Sequence, residues 1–394
     1  MTYNVAFNAL SASHHSAVHV LRGHIMSVAR GASENVRLHL IATAKQIADW
    51  QWRKIAGLTC IEANEIMRSA AVRFICERRL LESHIRSLRL DFIFSPNGIC
   101  LDIPDVAEAI LAQNPYPMVE GIQHHGISDW LKCRVQKNEF RRTQNSACIK
   151  YYNSHYMRAT YRSLGNSESR GDILHQGVYR DGDPLEGWPQ QCNDFSAREK
   201  TVLFVSALTR HKSVENLLGG FQLVANMDPQ ARLKIIGRET QRGYLAAIKK
   251  LARHLGILDR VEFAGFVSVD ELTHSYKTSR VYCSLSQCES FGIPAVEAQL
   301  HGTPAVVGDS CAPPEIIGEG GYKVQPADHQ ETARRLLALL NDREVWTGLS
   351  QKARSNARRF EWGRCSKPLV SVINELAAKT PDTNRRCQFD RAAI

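Results

Sequence analysis

No apolar run in this 394-residue sequence reaches the about 18–20 residues that a helix needs to span a bilayer. A transmembrane protein is therefore not expected. The opening residues, Met1-Thr-Tyr-Asn-Val-Ala-Phe-Asn8, lack a basic stretch followed by an apolar one, so no secretory leader is expected either. Cysteine occurs eleven times, an odd number, without a Cys-x-x-Cys pair, and no histidine stands at zinc-type spacing from cysteines or acids. That excludes a regular disulfide framework and points to a reducing, cytoplasmic compartment. There is no short-period repeat, and basic residues without interleaved aromatics make no nucleic-acid motif. Acids are the outnumbered charge: 50 Lys and Arg stand against 40 Asp and Glu, a net charge of +10. Such a balance suggests an anionic partner. Arginines crowd Arg68–Arg89, including Arg73, Arg78, Arg79 and Arg86, among apolar Val72, Phe74, Ile75, Leu81, Ile85 and Leu88 at roughly helical spacing. A basic amphipathic helix of this kind is either a solvated face or a peripheral contact with the anionic inner face of a membrane.

What is present is enough chain for two cores. The C-terminal half alternates strands and helices: apolar strands at 201–207, 233–237, 261–266, 281–286, 305–307 and 322–324 are separated by stretches with apolar residues every three to four positions. This rhythm predicts an α/β domain with a buried parallel sheet, whose ligands bind beyond the carboxyl ends of the strands. The N-terminal half is noisier, with strands expected at 3–7, 38–42, 91–94, 118–122, 149–152 and 172–174. The expected division is an N-terminal Rossmann-like domain over 1–180, a polar linker over 181–200, a C-terminal Rossmann-like domain over 201–378 and a polar tail over 379–394. Asp181-Gly-Asp183, which spells a metal–diphosphate motif, falls in the linker before Pro184 and reads as a turn, so no metal is expected.

The stretch richest in chemistry runs from Val281 to Val307. Glu289-Ser-Phe-Gly-Ile-Pro-Ala-Val-Glu297 joins a strand to a helix that Pro294 opens and Gly302 and Pro304 close. The amides of Phe291, Gly292 and Ile293 stand at a helix start, where backbone N–H groups and the dipole favour an anion. An acid on either side of an anion site suits a ligand with hydroxyls flanking a phosphate, such as a sugar nucleotide.

Glu-x7-Glu in this form resembles the donor-site signature of retaining GT-B glycosyltransferases, in particular glycosyltransferase family 4. The resemblance implies two Rossmann-like domains facing a cleft. It implies transfer of a sugar from a nucleotide sugar to an acceptor hydroxyl, of a saccharide or a lipid-linked saccharide, without metal or other cofactor. Glu297 would accept bonds from the ribose, and Glu289 would contact the donor sugar. Val202–Leu218 is similar to the family's first donor-domain strand, loop and helix. Lys212 then occupies a diphosphate-holding position, but Ala207 stands where the family carries arginine. Whether Arg210 replaces that arginine or is a solvated loop residue stays open. Gly265 and Phe266 lie where the family places the base. Pro314-Glu315-Ile-Ile-Gly318, Tyr152-Asn-Ser154-His and His175-Gln-Gly177-Val resemble further family segments. Val119-Glu-Gly-Ile-Gln-His-His-Gly126 resembles the segment whose histidine lines the catalytic cleft, which makes His125, or else His124, a catalytic candidate. The family's glycine pair after the first strand is missing, and Ala12-Ser-His-His-Ser-Ala17 stands there. An epimerase or hydrolase acting on sugar nucleotides, or a non-catalytic binding protein, are the alternatives. The donor sugar, base, acceptor and linkage are not legible.

Overall fold

The structure, a computed structural model, describes residues 2–69, 72–73, 77–79, 82, 85, 87–119, 126–146, 148–165, 171–178 and 195–379. His124, His125, Arg86, Asp181 and Asp183 lie outside the described residues. The chain divides into two compact units, Met1–Met118 with His124–Gly177 and Trp362–Ile394, and Val119–Gln123 with Val178–Glu361.

The first unit contains β1 (Tyr3–Asn8), α1 (His15–Gly31), β2 (Val36–Thr43), α2 (Ala44–Asp49), β3 (Leu58–Ala63), β4 (Phe92–Ser95), β5 (Ala107–Ala112), α3 (Ile127–Gln144), β6 (Ile149–Tyr152) and α4 (His155–Arg162). Its six strands are all parallel in the order β3-β2-β1-β4-β5-β6. The order reverses between β1 and β4, and strand-end crevices in open α/β sheets form at such reversals. Two of these strands, β3 and β5, are absent from the sequence reading. The stretch expected as a strand at 172–174 is only a bridge between Tyr152 and Ile173. Met118 and Val119 are not in a strand, and the rest of the 118–122 expectation lies outside the described residues.

The second unit contains β7 (Glu199–Val205), α5 (Val214–Met227), β8 (Arg232–Ile236), α6 (Tyr244–His254), β9 (Val261–Gly265), α7 (Val269–Thr278), β10 (Ser279–Ser284), α8 (Ile293–Leu300), β11 (Ala305–Gly308), α9 (Pro313–Ile317), β12 (Gly321–Val324), α10 (His329–Asn341) and α11 (Arg343–Ala357). These strands, too, are parallel, in the order β12-β11-β10-β7-β8-β9, and reverse between β7 and β10. Alternate residues feed opposite faces: Val202, Phe204, Leu233, Ile235, Val281 and Val306 pack with α5 and α10, while Leu203, Ile236, Tyr282, Ala305 and Val307 pack toward α7 and α8. Burial on both faces is why these strands read as continuous apolar runs. β7 begins at Glu199, so the last two residues expected as linker are strand.

The last described helix, α12 (Trp362–Ala378), belongs to the first unit, not to the C-terminal domain in which the sequence reading put it. Its anchor is Trp362. Added Cβ atoms on Gly23 and Gly177 would come within 2.3 Å and 2.4 Å of the Trp362 indole, so only glycine admits the ring at both places. Ser366 Oγ lies 2.9 Å from His24 Nδ1 inside the same packing.

Candidate functional site

The second sheet's reversal is where the candidate residues gather. The loop after β7 makes a tight turn at Arg210–Lys212 and brings Ser213 to φ 49 before α5 begins. The loop after β10 reaches across to it: Gln287 N donates to His211 O at 2.8 Å, and Ser286 Oγ donates to the same carbonyl at 3.1 Å. The loop after β11 closes on both, through Ser310 Oγ to Ser286 O at 2.8 Å and Ala312 N to Glu289 O at 3.2 Å. Backbone stitching of this kind fixes side chains from three loops against each other.

Two carboxylates result, each with a partner. Lys212 Nζ pairs with Glu289, with side-chain exposures of 13% and 25%. Half-buried pairs resist screening better than surface ones. Glu297, on α8, accepts a 2.8 Å bond from the hydroxyl of Tyr276. Tyr276 comes from α7 and is buried; its ring lies nearly parallel to His301, with centroids 5.9 Å apart and planes 11° apart. Burial and then the Glu297 charge push the Tyr276 phenol well above 10, so it stays a donor. Burial, with Lys277, Arg198 and Arg354 adding to it, lowers His301 to about 3 and keeps the stacked ring neutral. The Glu289 charge reaches buried Tyr282 on β10 and, after burial itself, raises that phenol.

Gly292 caps the start of α8 at φ 94, ψ 52. A Cβ there would meet nothing nearer than Glu289 Cγ and Pro313 Cγ at 3.8 Å. The left-handed backbone, more than space, demands the glycine. Phe291 is buried edge-on against Phe360, with centroids 5.3 Å apart, so its ring belongs to the core and only its backbone faces the helix start. Pro294 takes the first turn of α8, as the sequence predicts.

The other expected residues sit on neighbouring strand ends. Arg210 is exposed, its amide donating to Gln241 Oε1 at 3.0 Å, and its charge reaches Tyr244. Gly265 ends β9, and Phe266 beyond it is 60% exposed with the Arg238 guanidinium 3.9 Å from its ring centroid. Ala207 is exposed in the loop after β7. Tyr276 and Arg238 escaped the sequence reading. An aromatic within an amphipathic helix reads as core, and nothing in sequence ties it to a glutamate 21 residues on.

The first unit has a polar cluster at its own reversal. Asn8 Nδ2 donates to Glu77 Oε1 at 2.7 Å and to Ser95 Oγ at 3.3 Å. Burial raises the Glu77 carboxyl. Where the glycine pair is missing, Gln46 Nε2 holds the loop by donating to the carbonyls of Ala9, Leu10 and Ala12. His14 and His15 are exposed, and His15 packs edge-on against Trp50.

Comparison with known proteins covers both halves. A family model described as glycosyl transferases group 1 matches residues 190–360. Over 200 residues the chain is 30% identical to the D-inositol 3-phosphate glycosyltransferase of Corynebacterium kroppenstedtii, covering 48% of this chain and 43% of that protein. The chain thus matches less than half the length of such curated relatives. The sucrose-phosphate synthase structure from Thermosynechococcus elongatus superposes with a TM-score of 0.73 at 16% identity, covering 96% of this chain and 100% of that one. The structure of HepE from Anabaena in complex with UDP and glucose gives 0.68 at 15% identity, covering 95% and 100%. At these identities the likeness speaks for the fold, which is GT-B: two Rossmann-like units.

Proposed function

We propose that this chain, which belongs over residues 190–360 to the glycosyl transferases group 1 family, transfers a sugar from a nucleoside diphosphate sugar to an acceptor hydroxyl with retention of anomeric configuration. The observation that carries this reading is the pairing of Lys212 with Glu289 beside the Tyr276–Glu297 bond, all at the reversal of the second sheet. Each group has a task there. The ribose diol donates to Glu297, whose orientation Tyr276 fixes. The diphosphate takes the Lys212 ammonium and the amides at the start of α8. Glu289, released from Lys212, accepts bonds from hydroxyls of the donor sugar. The base lies against the Arg238–Phe266 pair.

The chemistry follows from charge. As the glycosidic bond breaks, negative charge grows on the leaving diphosphate, and a fixed ammonium with a helix dipole lowers that barrier. Among the described residues, nothing around Lys212 is a strong base. The leaving phosphate oxygen takes the acceptor proton on the face it departs from, which retains configuration, and the protein contributes positioning. No metal enters this scheme. The biological setting we propose is polysaccharide or glycolipid assembly.

UDP-glucose is the first donor to test, because HepE was solved with UDP and glucose. Release of UDP that requires an acceptor alcohol, with a product of the donor's anomeric configuration by NMR, is the expected result. Release without an acceptor would mark a hydrolase. Nucleotide-sugar binding without turnover on any acceptor would mark a binding protein.

A further inference from the structure

The first unit carries a second feature that sugar transfer leaves unused. The net charge of +10 is confined to it: 27 Lys and Arg stand against 17 Asp and Glu in the first unit, and 23 against 23 in the second. Within that unit α3 shows an unusual outer face. Ile127 is 84% exposed, Leu131 55% and Trp130 44%. At 3.6 residues per turn these three share one side of the first helical turns, and Arg134, Asn138 and Arg141 continue the same side. All three of those are exposed. The inner side is Cys133, Phe140, Thr143 and Gln144, which are buried. The helix is therefore correctly seated, and its apolar tip points outward by construction, not for want of a core.

The charges around the tip are mostly cationic. Arg134, Lys137 and Arg141 follow it along the same side of the helix or beside it, and the Arg134 guanidinium sits 5.0 Å from the Trp130 ring centroid. The acids on the helix are engaged: Asp129 accepts from the Tyr116 hydroxyl at 3.0 Å, and Glu139 from Arg142 at 2.9 Å. No described helix is long and apolar enough to cross a membrane. By contrast, some of the arginines between Arg68 and Arg89 are used locally. Arg73 donates to Met67 O and Arg68 O, and Arg78 lies near Glu82 and Asp102.

We propose that the outer face of α3 is an interfacial anchor that seats the first unit on an anionic bilayer. Ile127, Trp130 and Leu131 enter the headgroup–acyl boundary, and Arg134, Lys137 and Arg141 face acidic headgroups. Tryptophan favours that boundary, and a short apolar tip needs a basic surround to hold it there. The chemistry favours lipid over protein. Three apolar side chains are far less than the about 800 Å² per partner of a stable protein interface, and a unit of this charge repels its own copy. The proposal goes beyond the transferase reading and is tested separately from it.

The test is sedimentation of the full chain with vesicles of phosphatidylcholine alone and of phosphatidylcholine mixed with phosphatidylglycerol, at low and at physiological salt. Binding is expected only with phosphatidylglycerol and should weaken with salt. Ile127→Ser/Leu131→Ser should weaken it about tenfold or more, and so should Arg134→Glu/Arg141→Glu. Unchanged circular dichroism and unchanged UDP binding establish that these variants fold. Tryptophan fluorescence should shift to the blue on vesicle addition in the wild type and much less in Trp130→Phe. Absence of binding to phosphatidylglycerol vesicles at low salt would overturn the anchor, as would binding indifferent to both variant pairs. Self-association lost in Ile127→Ser/Leu131→Ser would overturn it in favour of a contact between copies. Sugar transfer to a water-soluble acceptor would survive any of these outcomes.

Discussion

Tyr276→Phe isolates the part of the account that rests most on the structure. The substitution keeps the buried ring and its stacking on His301 but removes the hydroxyl that donates to Glu297 at 2.8 Å. It creates no unsatisfied donor, so the fold should lose about 1 kcal/mol or less. The effect on nucleotide binding is larger and selective. A hydrogen bond to a charged group contributes about 1.5–3 kcal/mol, and solvent near a partly exposed Glu297 argues for the lower end. About 1.5 kcal/mol corresponds to roughly tenfold in Kd. Calorimetry should show UDP binding weakened by about that factor, while an analogue lacking both ribose hydroxyls binds wild type and variant alike. Glu297→Gln should be weak toward UDP and insensitive to adding Tyr276→Phe, because the two residues act through one bond. Equal losses for UDP and for the analogue would refute the idea that Tyr276 orients the ribose carboxylate.

Lys212→Ala should weaken UDP binding by about 1.5–3 kcal/mol and uridine binding hardly at all, with calorimetry on both ligands as the check. Gly292→Ala forces an alanine to φ 94 and should cost about 1–2 kcal/mol in denaturant unfolding, with weaker donor binding beside it. Burial holds both His24 and His301 down to about 3. The unfolded chain, with histidines near 6.5, binds more protons over the interval between, so stability is full above about pH 6.5 and falls as pH drops toward 3. Replacing His301 with Phe should flatten that acid limb by up to about 1.4 kcal/mol per pH unit, and an unchanged slope would remove His301 as a contributor.

The second unit was legible because its strands are buried on both faces and its site follows a local rule. Glu289, Gly292, Pro294 and Glu297 form one strand–loop–helix passage, and the structure keeps that passage intact. Lys212 came from the resemblance of Val202–Leu218 to a family segment, and the structure pairs it with Glu289. The losses have separate causes. β5 is Ala-Glu-Ala-Ile-Leu-Ala, a composition that favours helix, yet every residue of it is buried in the sheet. Its Glu108 explains how: the carboxylate accepts from Leu101 N and Ile103 N, both at 2.8 Å, and ties a loop to the strand. Among the described strands β3 pairs only with β2, at the sheet's edge, and its mixed exposure weakens the apolar signal. α12 follows the second unit in sequence, and only three-dimensional contacts, the fit of Trp362 against Gly23 and Gly177 and the Ser366–His24 bond among them, reveal where it packs. Tyr276 stayed hidden because the bond that matters joins two helices, a relation that no spacing encodes.

A crystal structure with a bound nucleoside diphosphate sugar tests the central claim most directly. The account predicts the ribose on Glu297, the diphosphate between Lys212 and the start of α8, and Glu289 turned from Lys212 to the sugar. A nucleotide bound away from the β7–β10 reversal, or a Lys212–Glu289 pair undisturbed in the complex, would contradict it.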